Sequence, residues 1–157
     1  MSETEESSGL VDEKYLIFSI QGRQYAFQSR LISEIALFDY VYPLPLVPPY
    51  VLGIINRYSV PYALFDVKQL LSKTPLPESS PGGKVLVIKD EIDRIAFLID
   101  DVTAIEDVPQ ELIMEVERSA EANDMAEAVS ASFNLTGSNV FVLDIQRIIA
   151  CVTAEVG

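Results

Sequence analysis

Aspartates that end apolar segments are the residues best placed to do chemistry. Asp66, Asp100 and Asp144 each follow a run rich in β-branched or aromatic residues. A carboxylate there can cap a helical turn, bind a metal ion or act as an acid or base. Catalysis or metal binding needs two of them to converge, but they lie in separate segments, and Asp100 and Asp101 would point to opposite faces of a strand. We therefore expect caps.

The absence of histidine excludes several kinds of site. The chain contains no His and one Cys, Cys151. Ser-His-Asp, Cys-His and phosphorelay-histidine chemistry are therefore impossible, and so is a His- or Cys-rich zinc site. Cys151 cannot form an internal disulfide, which is typical of a reducing compartment, and no base near it in the sequence would activate it. We expect no enzymatic activity, no cofactor and no metal.

Length and charge predict one cytoplasmic domain. The 157 residues are 49% apolar and 22% charged, and the net charge is −13. Residues 1–13 carry five acids and no base, and residues 115–127 carry five acids and one base. We interpret these stretches as a flexible acidic tail and an acidic loop that serve solubility.

The same composition argues against nucleic-acid and membrane partners. A chain with 24 acidic and 11 basic residues is repelled by phosphate backbones and by anionic membrane surfaces. Its apolar runs are far shorter than the ~18 residues that a membrane span needs. The first residues lack the basic and apolar regions of a secretory signal. We expect a cytoplasmic protein without direct membrane insertion.

Four apolar segments predict two antiparallel hairpins. Residues 15–20 and 24–27 form the first pair, and residues 85–88 and 95–99 form the second. Each pair is rich in β-branched and aromatic residues and is joined by a short polar turn.

The remaining segments predict connections and single helical turns. Four prolines in residues 43–49 predict an irregular connection, because proline cannot donate to a strand ladder. Residues 74–84 contain three prolines and two glycines and predict a loop. Residues 68–71 and 146–149 each predict one helical turn after a strand.

Self-similarity predicts a duplicated architecture. At an offset of 70, residues 15–35 align with 85–105; at an offset of 78, residues 53–71 align with 131–149. Each half has too few strands for an open sheet with protected edges, and closure removes those edges. We predict a mainly β fold of two small pseudo-repeated five-stranded β-barrels packed side by side, with short helical turns.

This architecture predicts the domain boundaries. A single domain spans residues 14–151, with subdomains at about residues 20–80 and 85–145 and strand exchange at their ends left open. Residues 152–157 are predicted to be a C-terminal tail.

Residues 50–56, Tyr-Val-Leu-Gly-Ile-Ile-Asn, followed ten residues later by Asp66, resemble the CheW family of chemotaxis coupling proteins. The family pattern is roughly a proline-rich approach, then G-[VI]-[IV]-N-L-R-G, then a strand ending in P-x-x-D-L. Further similar segments are residues 25–27 with 32–35, residues 97–102 and residues 142–145. The similarity covers about residues 14–150.

One departure falls on the most specific part of the pattern. Where the family has N-L-R-G, this chain has Asn56-Arg57-Tyr58-Ser59, so an ungapped count places Tyr58 at the arginine position. In the family that arginine pairs with the glutamate matching Glu34, which predicts a broken pair here. Arg57 would replace it only if the hairpin slips, because neighbours on a strand point to opposite faces. The second half keeps Asn-Leu-Thr-Gly at 134–137.

The resemblance implies a non-catalytic adaptor. Its partners would be the regulatory domain of a CheA-type histidine kinase and the cytoplasmic tip of a chemoreceptor. The residues expected to contact partners are Glu34, Ile35, Asn56, Arg57 and Tyr58. Two alternatives stay open: a divergent adaptor for surface motility or regulatory output, and a small-ligand-binding β-barrel, which needs a pocket with converging polar groups.

Several residues near the proline-rich connection have two interpretations. Gly53 and Asn56 are expected to serve turn geometry, because both residue types tolerate unusual backbone angles. Tyr40, Tyr42 and Tyr58 lie near turns, where tyrosine offers a large contact area with a polar tip.

Overall fold

The strands and helices follow the predicted order. The computed structural model describes residues 13–37, 40–71, 83–89, 94–115 and 128–156, with side chains up to residue 150. The predictions for residues 1–12, 72–82 and 116–127 and for the Cys151 side chain lie outside the described residues. The elements are β1 (Glu13–Ile20), β2 (Arg23–Gln28), β3 (Ile32–Leu37), β4 (Val51–Arg57), β5 (Val60–Asp66), α1 (Val67–Leu71), β6 (Lys84–Ile88), β7 (Ile95–Ile99), β8 (Asp101–Val108), β9 (Met114–Glu115), β10 (Val129–Leu135), β11 (Ser138–Leu143) and α2 (Ile145–Val156).

The strands form two sheets, which confirms the mainly β fold. One sheet has the order β8-β1-β2-β11-β10-β9, and the other has the order β3-β6-β7-β5-β4. Both predicted hairpins, β1 with β2 and β6 with β7, are present as antiparallel pairs. Two parallel pairs, β11 with β2 and β5 with β7, join each hairpin to its sheet.

The sheets do not follow the predicted division into residues 20–80 and 85–145. Hairpin β1–β2 joins strands from the C-terminal half, and hairpin β6–β7 joins strands from the N-terminal half. The repeat itself is present: replacing each strand by its repeat equivalent converts the order β8-β1-β2-β11-β10 into β3-β6-β7-β5-β4. A repeat specifies which strands correspond but leaves open which copy each hairpin joins, and the hairpins here exchange between the sheets in the way that the boundary prediction left open.

Neither sheet closes into a barrel through hydrogen bonds. Among the described residues, no strand ladder joins β3 to β4 or β8 to β9. At one edge of each sheet, a short segment pairs with the last long strand through only one or two residue pairs. β9 pairs with β10 through Met114 and Ser132, and the equivalent residues Tyr42 and Ile54 form an isolated bridge with hydrogen bonds of 2.8 and 2.9 Å. The predicted closed barrels are therefore curved open sheets.

Gly53 allows the proline-rich connection to approach β4. Its φ is +143°, and a Cβ atom there would lie 2.2 Å from the carbonyl oxygen of Tyr42. Only glycine fits such a contact. Contrary to the sequence prediction, Gly53 does not serve a turn: it lies within β4, and its positive φ accommodates the Tyr42 bridge.

Three apolar clusters explain why the central strands are apolar on both faces. Leu16 and Phe18 of β1 belong to a cluster between the sheets, whereas Tyr15 and Ile17 belong to the interior of the six-stranded sheet. In the same way β6 alternates between the inter-sheet cluster and the interior of the five-stranded sheet. A strand between two cores has no solvent face, so its sequence is a continuous apolar run.

Two of the three strand-end aspartates cap helices. Asp66 Oδ1 accepts from the backbone N–H of Lys68 at 3.0 Å, and Asp144 Oδ1 accepts from Gln146 N–H at 2.9 Å. Asp100 does not cap a helix, contrary to prediction. Its Oδ2 accepts from Gln21 N–H at 2.8 Å, which links the start of β8 to the β1–β2 turn.

Helix α2 is longer than the single turn predicted at residues 146–149. It spans twelve residues, including 152–156, which the sequence analysis assigned to a tail. The stretch contains neither proline nor glycine. Ile145, Ile148 and Ile149 recur at helical spacing and pack on the inter-sheet cluster, which supports a longer helix. Helix α1 is the predicted single turn.

The two equivalent hairpin turns differ in strain. Tyr58 and Ser59 have φ of +53° and +67°, and Thr136 and Gly137 have φ of +49° and +84°. Left-handed angles cost an L-residue roughly 1–2 kcal/mol, and glycine avoids this cost. The β4–β5 turn therefore lacks the glycine that relieves its counterpart.

We predict that Ser59→Gly stabilises the protein by about 1 kcal/mol, because it removes left-handed strain. For a chain of this size the melting temperature should rise by about 2–4 °C. The matched control is Gly137→Ser, which introduces the same strain at the equivalent turn and should lower it. Equal melting temperatures for Ser59→Gly and the parent chain would contradict this account.

We further predict a pH-dependent effect of Asp66→Asn. Burial raises the pKa of Asp66, and the nearby Asp100 charge adds to this. A raised folded-state pKa contributes stability that is present below the unfolded pKa and lost as pH rises through the folded pKa. Asparagine still caps the helix, so the variant should gain stability relative to the parent as pH increases from acid to neutral. Thermal melts across that range test this, with Asp144→Asn as the control at a half-exposed cap; a pH-independent difference would refute it.

Candidate partner-binding site

An ion pair joins the two edges of the five-stranded sheet. The guanidinium of Arg57, the last residue of β4, donates to the Glu34 carboxylate of β3. Their side chains are 31% and 28% exposed. The hydrogen bond to Glu34 is the main cause that raises the pKa of Arg57. The edge strands β3 and β4 are therefore linked by this side-chain contact and not by strand hydrogen bonds.

The prediction of a broken pair was wrong, and the hairpin register explains why. The turn is centred on Tyr58 and Ser59, and Arg57 pairs with Val60. Arg57 therefore shares the inward face of β4 with Gly53 and the buried Ile55. The ungapped count placed Tyr58 opposite Glu34, but Tyr58 lies in the turn and Arg57 replaces it in the pair.

Tyr58 is an exposed aromatic residue at the tip of this hairpin. Its side chain is 83% exposed, and its ring centroid lies 5.3 Å from Cζ of Arg57. That distance allows a cation–π contact, which is worth ~0.5–1 kcal/mol at exposed sites. The contact orients Tyr58 next to the ion pair, so Glu34, Arg57 and Tyr58 form one cluster.

The other two predicted contact residues lie on the strand faces opposite Glu34 and Arg57, and Leu37 shares that outer face of β3 with Ile35. Ile35 follows Glu34 on β3 and is 43% exposed on the opposite face. Asn56 precedes Arg57 on β4 and is exposed. The equivalent Asn134 accepts from Gly137 N–H at 3.2 Å across its turn, whereas the turn role of Asn56 stays a prediction.

Exposed apolar residues extend the cluster along the proline-rich connection. Leu37 and Tyr40 line a small cavity of about 60 Å³ together with Arg57. Tyr40 and Tyr42 pack edge to face, with ring centroids 4.8 Å apart. We call Glu34, Leu37, Tyr40, Tyr42, Arg57 and Tyr58 the contact face.

The contact face has little net charge. Residues 40–65 contain one charged residue, Arg57, in a chain of net charge −13. Its partner Glu34 compensates that charge. Exposed apolar surface of this kind typically marks an interaction site. The sequence analysis identified the tyrosines but missed Leu37, because an outward leucine on an edge strand looks like any core leucine; the uncharged stretch was the available signal.

The equivalent position in the six-stranded sheet shows that the fold does not need the ion pair. By the repeat offsets, Glu34 corresponds to Ala104 and Arg57 to Leu135. Their strand partners correspond as well: Glu34 pairs with Val87 and Ala104 with Ile17. Apolar residues therefore occupy both positions in the other copy of the repeat.

The described residues offer no metal or catalytic cluster. No group of three or more His, Cys, Asp or Glu in them could hold a metal ion. Asp101, beside Asp100, bonds Lys84 Nζ at 2.7 Å. None of the helices described is long and apolar enough to cross a membrane.

Comparison with known proteins agrees with this fold. A family model described as a CheW-like domain matches residues 14–152. The chain belongs to the CheW-like family. The resemblance inferred from the sequence is thereby confirmed over most of the chain.

Two individual proteins are similar to this family member. The chemotaxis protein CheW of Bacillus subtilis strain 168 is 24% identical over 89 residues, which cover 57% of this chain and 56% of that protein. The crystal structure of the scaffolding protein TtCheW from Thermoanaerobacter tengcongensis superposes with a TM-score of 0.73 at 14% identity, covering 85% of this chain and 89% of that one. The second likeness concerns the fold, because its identity is low.

We predict that the ion pair is energetically coupled and replaceable. Arg57→Leu alone leaves the half-buried Glu34 carboxylate without its partner and should cost about 1–3 kcal/mol of unfolding free energy. The double variant Glu34→Ala/Arg57→Leu copies the Ala104 and Leu135 pair and should recover part of that loss, with a coupling of about 1 kcal/mol. Denaturant unfolding of the four proteins measures this, and additive single effects would contradict it.

Proposed function

We propose that this chain is a non-catalytic adaptor that couples chemoreceptors to a CheA-type histidine kinase. Its membership of the CheW-like family supports this, as do the names of its relatives, one a chemotaxis protein and one a scaffolding protein. The observation that carries the proposal is the exposed, nearly uncharged contact face on a strongly acidic molecule.

The contact face has the composition of a protein-binding surface. Aromatic residues and arginine are enriched at interface cores and among the residues that dominate binding energy. Here Tyr58 lies over Arg57, Tyr40 lines a cavity with Arg57 and packs against Tyr42, and Glu34 neutralises the charge of Arg57. We assign this face to the regulatory domain of the kinase, and the flank of the same sheet to the receptor tip.

Coupling by such an adaptor requires no reaction on this chain. Binding of both partners fixes their relative position, and a signal passes as a difference in affinity between two receptor states. The chain acts at the cytoplasmic side of receptor arrays in this proposal.

A divergent adaptor, for surface motility or regulatory output, is the second candidate. Asn56-Arg57-Tyr58-Ser59 favours it, because this segment departs from the family's N-L-R-G and places an exposed tyrosine in the turn. Affinity purification of the tagged chain from its source cells, followed by mass spectrometry, separates the two candidates. A CheA-type kinase together with a chemoreceptor supports coupling, and a kinase without receptors supports the divergent role.

We predict that Tyr58→Ala weakens kinase binding by about tenfold or more, as expected for an aromatic hot spot worth over ~1 kcal/mol. Its melting temperature should stay close to that of the parent, because the side chain is 83% exposed. Titration calorimetry with the purified regulatory domain measures the affinity. Thr136→Ala, at the equivalent turn of the other sheet, is the matched control and should bind normally.

Two outcomes would contradict this assignment. If Tyr58→Ala lowers affinity and melting temperature together, Tyr58 supports the fold and not the contact. If both tyrosine and threonine variants bind like the parent, the kinase uses another surface.

A further inference from the structure

A cavity of about 290 Å³ opens where the two sheets meet helix α2, away from the contact face. Its walls come from the start of β1, the end of β2, the end of β6 and the junction of β11 with α2. The backbone N–H of Lys89 donates to the Leu31 carbonyl at 2.8 Å and extends the pairing of β6 with β3 to this place. The cavity shares no residue with the contact face.

Polar side chains converge on the cavity. Arg30 donates to the Gln28 side-chain oxygen at 3.2 Å, so both side chains are ordered at the rim. Tyr15 is 5% exposed, and burial raises the pKa of its phenol. Lys89 and Ser130 complete the polar lining, against an apolar wall that includes Ile88 and Val142.

The repeat shows that the fold does not require this polarity. By the same offsets, Tyr15, Gln28 and Ser130 correspond to Val85, Leu98 and Leu52. The basic residues have no basic counterparts either: Arg30 corresponds to Asp100 and Lys89 to Ser19. The cavity positions therefore carry two cations and several polar side chains in one copy, whereas their counterparts in the other copy are three apolar residues, one acid and one serine.

The acidic groups near the cavity are already engaged. Asp144 lines it, but its Oδ1 accepts from two backbone N–H groups of α2 and its Oδ2 lies 3.7 Å from Arg147 Nε. Glu13 lies 3.5 Å from Arg30 and offsets part of that charge. Lys89 has no ion pair with a carboxylate among the described residues. The cavity is therefore a basic, donor-rich place in a chain of net charge −13.

We propose that this cavity binds a small organic anion through a carboxylate or phosphoryl group. Arg30 and Lys89 would hold the charged group, Gln28 and Ser130 would donate to it, and Ile88 and Val142 would contact the carbon skeleton. At roughly 30 Å³ for each water-sized group, the volume holds a body of about ten non-hydrogen atoms. Charge-assisted hydrogen bonds of this kind are about twice as strong as neutral ones. The site is independent of the proposed adaptor role.

Backbone amide NMR of the full-length chain tests the proposal. The probes are inorganic phosphate, succinate and glycerol 2-phosphate at millimolar concentration, with the dication putrescine as a control of opposite charge. We expect the anions, and not putrescine, to shift the amides of residues 28–31, 130–131 and 144–146. The phosphate and dicarboxylate arms distinguish the two head groups.

The variant Arg30→Gln/Lys89→Gln should weaken binding about tenfold or more, since it removes both cations from an exposed rim without affecting the core. The matched control Arg23→Gln removes an exposed cation at the opposite end of β2 and should leave the affinity unchanged. Unchanged melting temperatures show that all variants are folded. The proposal fails if no anion shifts these amides, if putrescine shifts them equally, or if Arg23→Gln and the double variant lose the same affinity.

Discussion

The stacked rings of Phe27 and Phe97 are the contact on which the rest of the molecule depends. They are repeat equivalents, both fully buried, with centroids 5.4 Å apart, so the pseudo-twofold relation between the sheets passes between them. Phe18 and Phe65 extend the stack on either side. Because each hairpin that supplies a ring belongs to the sheet built from the other half of the chain, neither half contains a complete sheet. Folding of one sheet and formation of the inter-sheet core are therefore the same event.

The duplication provides an internal control for function. The two copies of the repeat have the same strand pairing but different side chains at equivalent positions. Strand pairing therefore does not require the side chains in which the copies differ. Glu34 and Arg57 replace the apolar Ala104 and Leu135 at one edge. Half-buried ion pairs contribute little net stability compared with apolar groups of similar size. In our interpretation, Glu34 and Arg57 are better explained by binding of a partner protein than by a need to close the edge of the sheet.

Sequence patterns were sufficient for the hairpins, the repeat and the family, because these depend on local apolar periodicity and on matched spacing. Three features needed the structure. The first is the sheet that each hairpin joins, because the repeat is equally compatible with either copy. The second is the length of α2, which depends on packing against the inter-sheet core. The ion pair of Arg57 depends on where the β4–β5 turn is centred. A shift of the turn by one residue would move each side chain of the strand to the opposite face of the sheet. The cavity combines residues from six segments, so no local pattern announces it.

The distribution of charge explains how so acidic a chain can present a nearly uncharged surface to a partner. Net charge of one sign keeps a protein soluble and repels phosphate and like-charged surfaces, but it also opposes binding to acidic partners. Here the contact face avoids that cost, since Arg57 and Glu34 cancel and the surrounding residues are uncharged. The strained left-handed Tyr58 lies at the tip of this face. Backbone strain persists when the surroundings stabilise it, and it concentrates at functional sites. Tyr58 is retained there, in our interpretation, because an exposed aromatic ring next to a neutralised arginine gives a partner contact area without adding charge.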